Sequence, residues 1–327
     1  MTQQRSDARV GLVLGTMTFG ESVFSPDVEE MLRTFFQAGY RELDTAYVYN
    51  NGECERLLGQ ALKSFSDTSI RVSTKVNPRI SGKLDADAAY KQLNESLERL
   101  QLESVDTFYL HFPDPKTPVR SVLEACGALH REGKFRELGL SNFPAWLVAD
   151  VYWQCKENGW VLPTVYEGVY NPLSRAAERE LNDALNYFGL RFYAYNPMAG
   201  GMLTGRYKNF CDAPTDGRFT HRPNYQQRYW KESYFQAVES LDEVCQSHGL
   251  TLVSATYRWL VHHSMLNGSR GDAIIIGASK KSHLEQNIAA AQDGALPEDV
   301  VTAFQIAWRM CQQDSPEYFR FYGGGAK

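Results

Sequence analysis

No stretch of this 327-residue chain stays apolar for the roughly 18 residues that a membrane span requires. The first residues, Met1-Thr-Gln-Gln-Arg-Ser-Asp7, lack the apolar core of a signal peptide. A long basic run is also missing. The net charge is −5 and the isoelectric point is near 5.9, which gives no support for nucleic acid or an anionic membrane as a partner. The six cysteines (Cys54, Cys126, Cys155, Cys211, Cys245, Cys311) form no C-x-x-C pair and no Cys/His set with zinc spacing. They read as reduced thiols, which places the chain in the cytoplasm and leaves the metal complement at none. The dinucleotide fingerprint G-x-G-x-x-G follows none of the strand-like segments, which argues against a doubly wound open sheet. Internal repeats and low-complexity tracts are lacking, and nothing marks a second domain.

What is there is a regular beat. Hydrophobic residues make up 43% and charged residues 22%, enough for a large core. Short runs rich in β-branched and aromatic residues occur at Val10–Leu14, Arg41–Asp44, Ile70–Thr74, Thr107–Leu110, Leu138–Leu140, Thr164–Tyr166, Arg191–Tyr195 and Ala273–Ile276. Between them apolar residues recur at helical spacing, as in Val28-Met31-Leu32-Phe35-Phe36 and Leu93-Leu97-Leu100. Gly39, Gly133 and Gly159 fall where helices would end. Eight strand–helix pairs predict an α/β fold, a single (β/α)8 TIM barrel over 1–327. Lys208–Trp230, after the seventh strand, shows no periodicity and reads as a structureless binding loop or lid. The last helix, near Pro297–Gln313, leads into a C-terminal extension with Glu317-Tyr-Phe-Arg320 and a Gly323-Gly-Gly325 end expected to fray.

Three of the runs deliver ionisable side chains where they stop: Asp44 and Tyr49, Lys75, and His111. Active sites of parallel barrels gather at the carboxyl ends of several strands. The Lys75 ammonium is expected to lower the pKa of the Tyr49 phenol, with Asp44 as its counter-ion. His111 could hydrogen-bond the same carbonyl oxygen. A tyrosine acting on a carbonyl oxygen beside a hydride source is carbonyl reduction. A structural Asp–Lys salt bridge and a merely hydrogen-bonded histidine are the plainer readings of these residues taken singly.

Asp44, Tyr49, Lys75 and His111 together resemble the catalytic tetrad of the aldo-keto reductases. The resemblance extends to Gly15-Thr-Met17, Glu137-Leu-Gly-Leu-Ser-Asn142 and Tyr193-Ala-Tyr-Asn-Pro197. Leu162-Pro-Thr-Val-Tyr166 and Asn196-Pro-Met-Ala-Gly-Gly-Met-Leu-Thr-Gly205 look most like the aflatoxin-aldehyde and succinic-semialdehyde reductase branch. The resemblance implies NADPH as cofactor and a small-molecule aldehyde as substrate, with a homodimer possible as in that branch. It assigns Met17 and Asp44 to the cofactor, Ser141 and Asn142 to the nicotinamide carboxamide, and Tyr195 to the face of the ring. Glu167 stands where these enzymes usually carry Gln; a carboxylate accepts from the carboxamide but cannot donate to it.

Asn196, Pro197, Met198, Gly200, Gly201, Leu203, Gly205 and Arg206 would lie along the pyrophosphate. The same glycines superficially match a P-loop, but the Lys and the hydroxyl of that motif are absent. Gly277, Ser279, Lys280, Lys281 and His283 would form the adenosine end at a helix amino terminus, with Gln286 and Asn287 at the adenine and Arg218 as a second 2′-phosphate candidate. Tyr225, Arg228 and Arg320 match positions that bind an acidic substrate tail, alongside His111. Two other functions fit the same scaffold: a nucleotide-sensing regulatory subunit, and a Schiff-base aldolase using Lys75.

Overall fold

A computed structural model describes residues 8–212, 214–215 and 217–323. Eight parallel strands close into a barrel in chain order: β1 (Gly11–Gly15), β2 (Glu42–Asp44), β3 (Arg71–Val76), β4 (Val105–Leu110), β5 (Phe135–Ser141), β6 (Pro163–Val169), β7 (Arg191–Tyr195) and β8 (Ala273–Ile276). β1 pairs with β8 over Gly11–Leu14, which seals the ring. β3, β5 and β6 run beyond the apolar runs of the sequence, to Val76, Ser141 and Val169, and so take in the polar residues Lys75, Ser141 and Glu167, whereas β4 ends with its run at Leu110.

The period of two in a strand explains the layering. One set of side chains, among them Val13, Tyr109, Val165, Tyr193, Ala273 and Ile275, packs inside the barrel. The alternate set, including Leu12, Leu14, Leu43, Val72, Phe108 and Leu140, joins the helices in the main core. Register then places Asp44 beside Gly15, Lys75 beside Tyr109 and Glu167 beside Ser141. These polar residues share the inner parity, so they emerge at the carboxyl end of the barrel instead of against the helices. Gly139 keeps this packing possible: a Cβ there would collide with the Tyr109 ring that fills the space beneath Lys75.

The helices follow the expected beat. Asp85 and Thr251 cap Ala86–Leu100 and Leu252–His262 with side-chain hydrogen bonds of 3.0 and 3.1 Å. Gly39, Gly133 and Gly159 take positive φ just past helix ends, as the sequence predicts. Glu232–Ser247 and Glu298–Cys311 pack against each other in addition to the helices that follow each strand. No described helix is long and apolar enough to cross a membrane, and no cluster among the described residues could hold a metal ion.

The segment Lys208–Trp230 departs from expectation. It contains two short helices, Arg218–His221 and Pro223–Tyr229. Pro223 occupies a first-turn position where its missing N–H costs nothing. Phe219, Tyr225 and Tyr229 are buried and anchor the segment. Four and seven residues are too few for helical periodicity to show in the sequence. Gly324 and Gly325 of the glycine-rich end lie outside the described residues.

Candidate active site

Lys75 is fully buried, and three oxygens surround its ammonium. It donates to Asp44 Oδ1 and to the carbonyl of Thr45 at 2.9 Å, and it lies 3.1 Å from Glu167 Oε2. Ser73 Oγ donates to the same Asp44 oxygen at 2.8 Å. The Glu167 contact is an ion pair off the direction a hydrogen bond needs, so Glu167 Oε2 has no hydrogen-bond partner. Burial alone would lower the pKa of Lys75, but Asp44 and Glu167 outweigh it and the net shift is upward. A permanently charged ammonium is a poor amine nucleophile, which counts against a Schiff base. Burial, and then the charge of Asp44, push Glu167 up to about 8 in spite of Lys75.

Tyr49 opens a tight turn that follows β2, and its ring meets His111 edge-on at 6.0 Å. Lys75 Nζ lies 5.7 Å from the Tyr49 ring centroid. The expectation of a lowered phenol pKa is corrected here. Burial first, then the negative charges of Asp44 and Glu167, raise it well above its ordinary value. The two carboxylates neutralise the ammonium that was to stabilise the phenolate. Tyr49 therefore keeps its proton at neutral pH and can only donate it.

His111 is held well below the ordinary imidazole pKa by burial and by the charges of Lys75 and Arg79, so it is neutral at pH 7. Its tautomer follows from Asn77, a buried residue that the sequence reading missed. Asn77 Oδ1 accepts from the backbone N–H of Arg79 at 2.9 Å, which leaves its Nδ2 as the group 3.0 Å from His111 Nδ1. The amide donates, Nδ1 accepts, and the imidazole proton sits on Nε2. Gln92 fixes Asn77 in turn by exchanging hydrogen bonds of 2.9 and 3.1 Å with its backbone. An Asn two residues beyond a strand-end lysine was the available signal.

Ser141 and Asn142 close β5, and both are buried. Asn142, at φ 63°, donates to the His111 carbonyl at 3.0 Å and accepts from Tyr195 at 2.7 Å. The Tyr195 ring is half-buried beside them at the end of β7. Met17 is also half-buried, and its carbonyl accepts from Asn50 at 3.0 Å.

The turn after β7 is built for close backbone approach. Asn196 and Ala199 have positive φ, as do Gly200, Gly201 and Gly205. At Gly200 a Cβ would lie 2.9 Å from the Tyr225 ring. Tyr225 donates to Asn196 Oδ1 at 3.2 Å, which ties this turn to the long loop. Pro197 is buried and Met198 half-buried within the turn, while the Leu203 side chain lies wholly in the core and could offer a ligand only its backbone. Arg206 is exposed on the rim of a cavity of about 320 Å³ shared with Tyr207, Lys208 and Trp230.

Across the barrel mouth, no side chain caps the amino terminus of Lys281–Gln292, and its first turn has no acid. Gly277, Ser279, Lys280, His283 and Gln286 are exposed there. Lys281 is also exposed and pairs with the exposed Glu30 at 2.7 Å. Asn287 is buried and donates to the Gly277 carbonyl at 3.4 Å. The Arg218 guanidinium lies over the Tyr225 ring at 5.2 Å. Arg228 lies 5.8 Å from the centroid of that same ring. Arg320 donates its backbone N–H to the Asn142 carbonyl at 3.0 Å, next to the tetrad. Arg222, also missed in the sequence, reaches back over the mouth to Glu21 at 3.0 Å and Asn50 at 3.2 Å.

Comparison with known proteins agrees with this geometry. The profile of the aldo/keto reductase family matches residues 11–309. The chain is 46% identical to human aldo-keto reductase family 7 member A3, covering 98% of this chain and 100% of that one. It is 45% identical to aflatoxin B1 aldehyde reductase member 2 of Rattus norvegicus, covering 95% and 88%. Human aflatoxin B1 aldehyde reductase member 4 is 44% identical over 98% and 100%.

Proposed function

The chain belongs to the aldo/keto reductase family and is an aldehyde-reducing oxidoreductase, and we propose that it uses NADPH to reduce small aldehydes with an acidic end, or dicarbonyls, to alcohols. The observation that carries the reading is the buried Lys75 ammonium, held by Asp44 beneath a phenol that keeps its proton and an imidazole with its N–H on Nε2. The cofactor supplies the hydride. His111 Nε2–H and Tyr49 O–H both donate to the carbonyl oxygen, which polarises it and fixes its position. As the carbonyl carbon is reduced, Tyr49 gives its proton to the oxygen. A proton from solvent then restores the phenol.

The residues fit a nicotinamide dinucleotide. Ser141, Asn142 and Glu167 suit a carboxamide, and Tyr195 suits the face of the ring. The glycine turn Gly200–Gly205, with Arg206, suits a pyrophosphate. The uncapped helix at Lys281, with Lys280 and His283, suits the 2′-phosphate. A Glu167 that holds its proton offers one donor and one acceptor, much as the usual Gln does. Arg228 and Arg320 favour an acidic tail, and relatives named for reducing aflatoxin B1 aldehyde favour an aldehyde as the reacting group.

An aldehyde panel assayed with NADPH and NADH in parallel tests this, together with Tyr49→Phe. The variant should bind NADPH normally and lose about 10²–10⁴ in kcat. NADPH binding with no turnover of any aldehyde by the unmodified protein would make the chain a nucleotide-sensing subunit instead.

A further inference from the structure

Several arginines of the barrel meet carboxylates: Arg71 with Glu42, Arg99 with Glu55, Arg191 with Glu137. Three at the barrel mouth do not. Arg79, Arg228 and Arg320 have no ion-pair partner among the described residues, and they come from three separate elements. Arg79 lies in Pro78–Ser81 after β3, Arg228 in Pro223–Tyr229, and Arg320 in the C-terminal extension.

Their placement brings them to one side of the tetrad. The Arg79 guanidinium sits 4.9 Å over the Phe112 ring, which stacks on His111 at 4.8 Å. Arg320 is pinned by its backbone to Asn142, which also holds the Tyr195 hydroxyl. Its Nε is buried with no hydrogen-bond partner. Arg228 lies within reach of the Tyr195 side chain and 5.8 Å from the Tyr225 ring centroid. Although Arg79 as a residue is exposed, the protein around its guanidinium and then the charge of Arg228 lower its pKa. Arg320 is lowered likewise by burial, then by Arg79 and Arg228. Arg79 and Arg320 thus feel the charge of their neighbours, Arg228 is shifted upward by Tyr195, Tyr229 and Tyr225, and no carboxylate among the described residues pairs with any of the three.

We propose that Arg79 is a specificity residue and that Arg79, Arg228 and Arg320 together take an aldehyde whose far end carries two negative charges, a phosphate monoester or paired carboxylates. The proposal rests on the acidic-aldehyde reading above. One carboxylate satisfies a bidentate contact from one guanidinium and a second contact from another, and leaves the third charge unmet. A dianion meets all three. Tyr195 and Phe112 provide the floor beside the reacting carbonyl, so the charged end must lie a few atoms from it.

The test uses the full chain with NADPH and three aldehydes: glyceraldehyde 3-phosphate (dianionic), glyceraldehyde (the same head, neutral) and succinic semialdehyde (monoanionic). In Arg79→Gln the ratio of kcat/KM for glyceraldehyde 3-phosphate to that for glyceraldehyde should fall about tenfold or more. The ratio for succinic semialdehyde to glyceraldehyde should fall less than about threefold. The backbone N–H of Arg79 that orders Asn77 is retained in this variant. Equal falls for both anions, or no fall, overturn the proposal. Binding is read independently of turnover by titrating inorganic phosphate, malonate and acetate into NADPH-saturated protein. Tighter phosphate identifies the phosphate monoester and tighter malonate the paired carboxylates, and either should weaken in Arg79→Gln. Acetate binding as tightly as both overturns the dianion. If no aldehyde is reduced but a dianion still binds through Arg79, the reductase reading fails while the anion pocket stands.

Discussion

At the amino-terminal end of the barrel strands, Arg71 pairs with Glu42 at 2.9 Å and Arg191 with Glu137 at 2.6 Å, one charge to one charge, each pair partly exposed. At the carboxyl-terminal end, Lys75 is fully buried between Asp44 and Glu167, and three arginines a short way above pair with no carboxylate among the described residues. The first arrangement is what solvent-accessible ion pairs look like when they merely tidy the end of a sheet; such pairs contribute about 0–1 kcal/mol. The second places charge where desolvation is expensive and leaves it unbalanced, which stability alone does not favour. The lesson is that charge paired one to one marks the structural end of this barrel, while a fully buried lysine below arginines that meet no described carboxylate marks the chemical end.

The largest effect short of removing the phenol should come from Asn77, which acts only through His111. Asn77→Leu should lower kcat about tenfold with NADPH affinity kept, the worth of one orienting hydrogen bond. Asn77→Asp would place a carboxylate beside the imidazole and raise its pKa. A new ionisation near neutrality should then enter the pH–rate profile. A merely structural Asn77 would leave that profile unmoved in both variants.

Glu167 sharpens the contrast through pH. Its pKa rises from an ordinary 4.5 to about 8 in the folded chain. Between those values the native state holds a proton that the unfolded chain has released, so stability falls as pH rises through the window. Glu167→Gln should remove that slope. Its melting temperature relative to the unmodified protein should gain a few degrees between pH 5 and pH 8. Parallel melting curves across that range would show that Glu167 ionises normally. The smallest effect belongs at the other end: Glu137→Gln should cost about 0–1 kcal/mol and leave kcat/KM unchanged for every aldehyde. A loss of activity there would erase the distinction between the two ends.

Much of this was legible in the sequence because strand parity is a local property. Asp44, Lys75, Ser141 and Glu167 end runs whose period of two sends them inward, and the barrel brings them together. Asn77 and Arg79 were not legible, since they lie beyond β3 and their meaning depends on His111, Phe112 and Arg228 from other elements. The raised pKa of Tyr49 was missed for a related reason: Glu167, on β6, reaches Lys75 on β3 across the barrel interior, a pairing no adjacent-strand reasoning supplies. The Lys281–Glu30 pair was not legible either, because nothing in the Lys281 helix announces Glu30, which comes from Asp27–Gln37.

The central claim, that the buried charges are kept for chemistry and not for the fold, is tested by neutralising them all at once with Asp44→Asn, Lys75→Met and Glu167→Gln. Replacing a buried ionic cluster by neutral groups of similar size is often neutral or stabilising by about 1–4 kcal/mol. The triple variant should melt no lower than the unmodified protein and lose at least about 10² in kcat with NADPH. A triple variant that unfolds, or that stays folded and still reduces aldehydes at the original rate, would contradict the account.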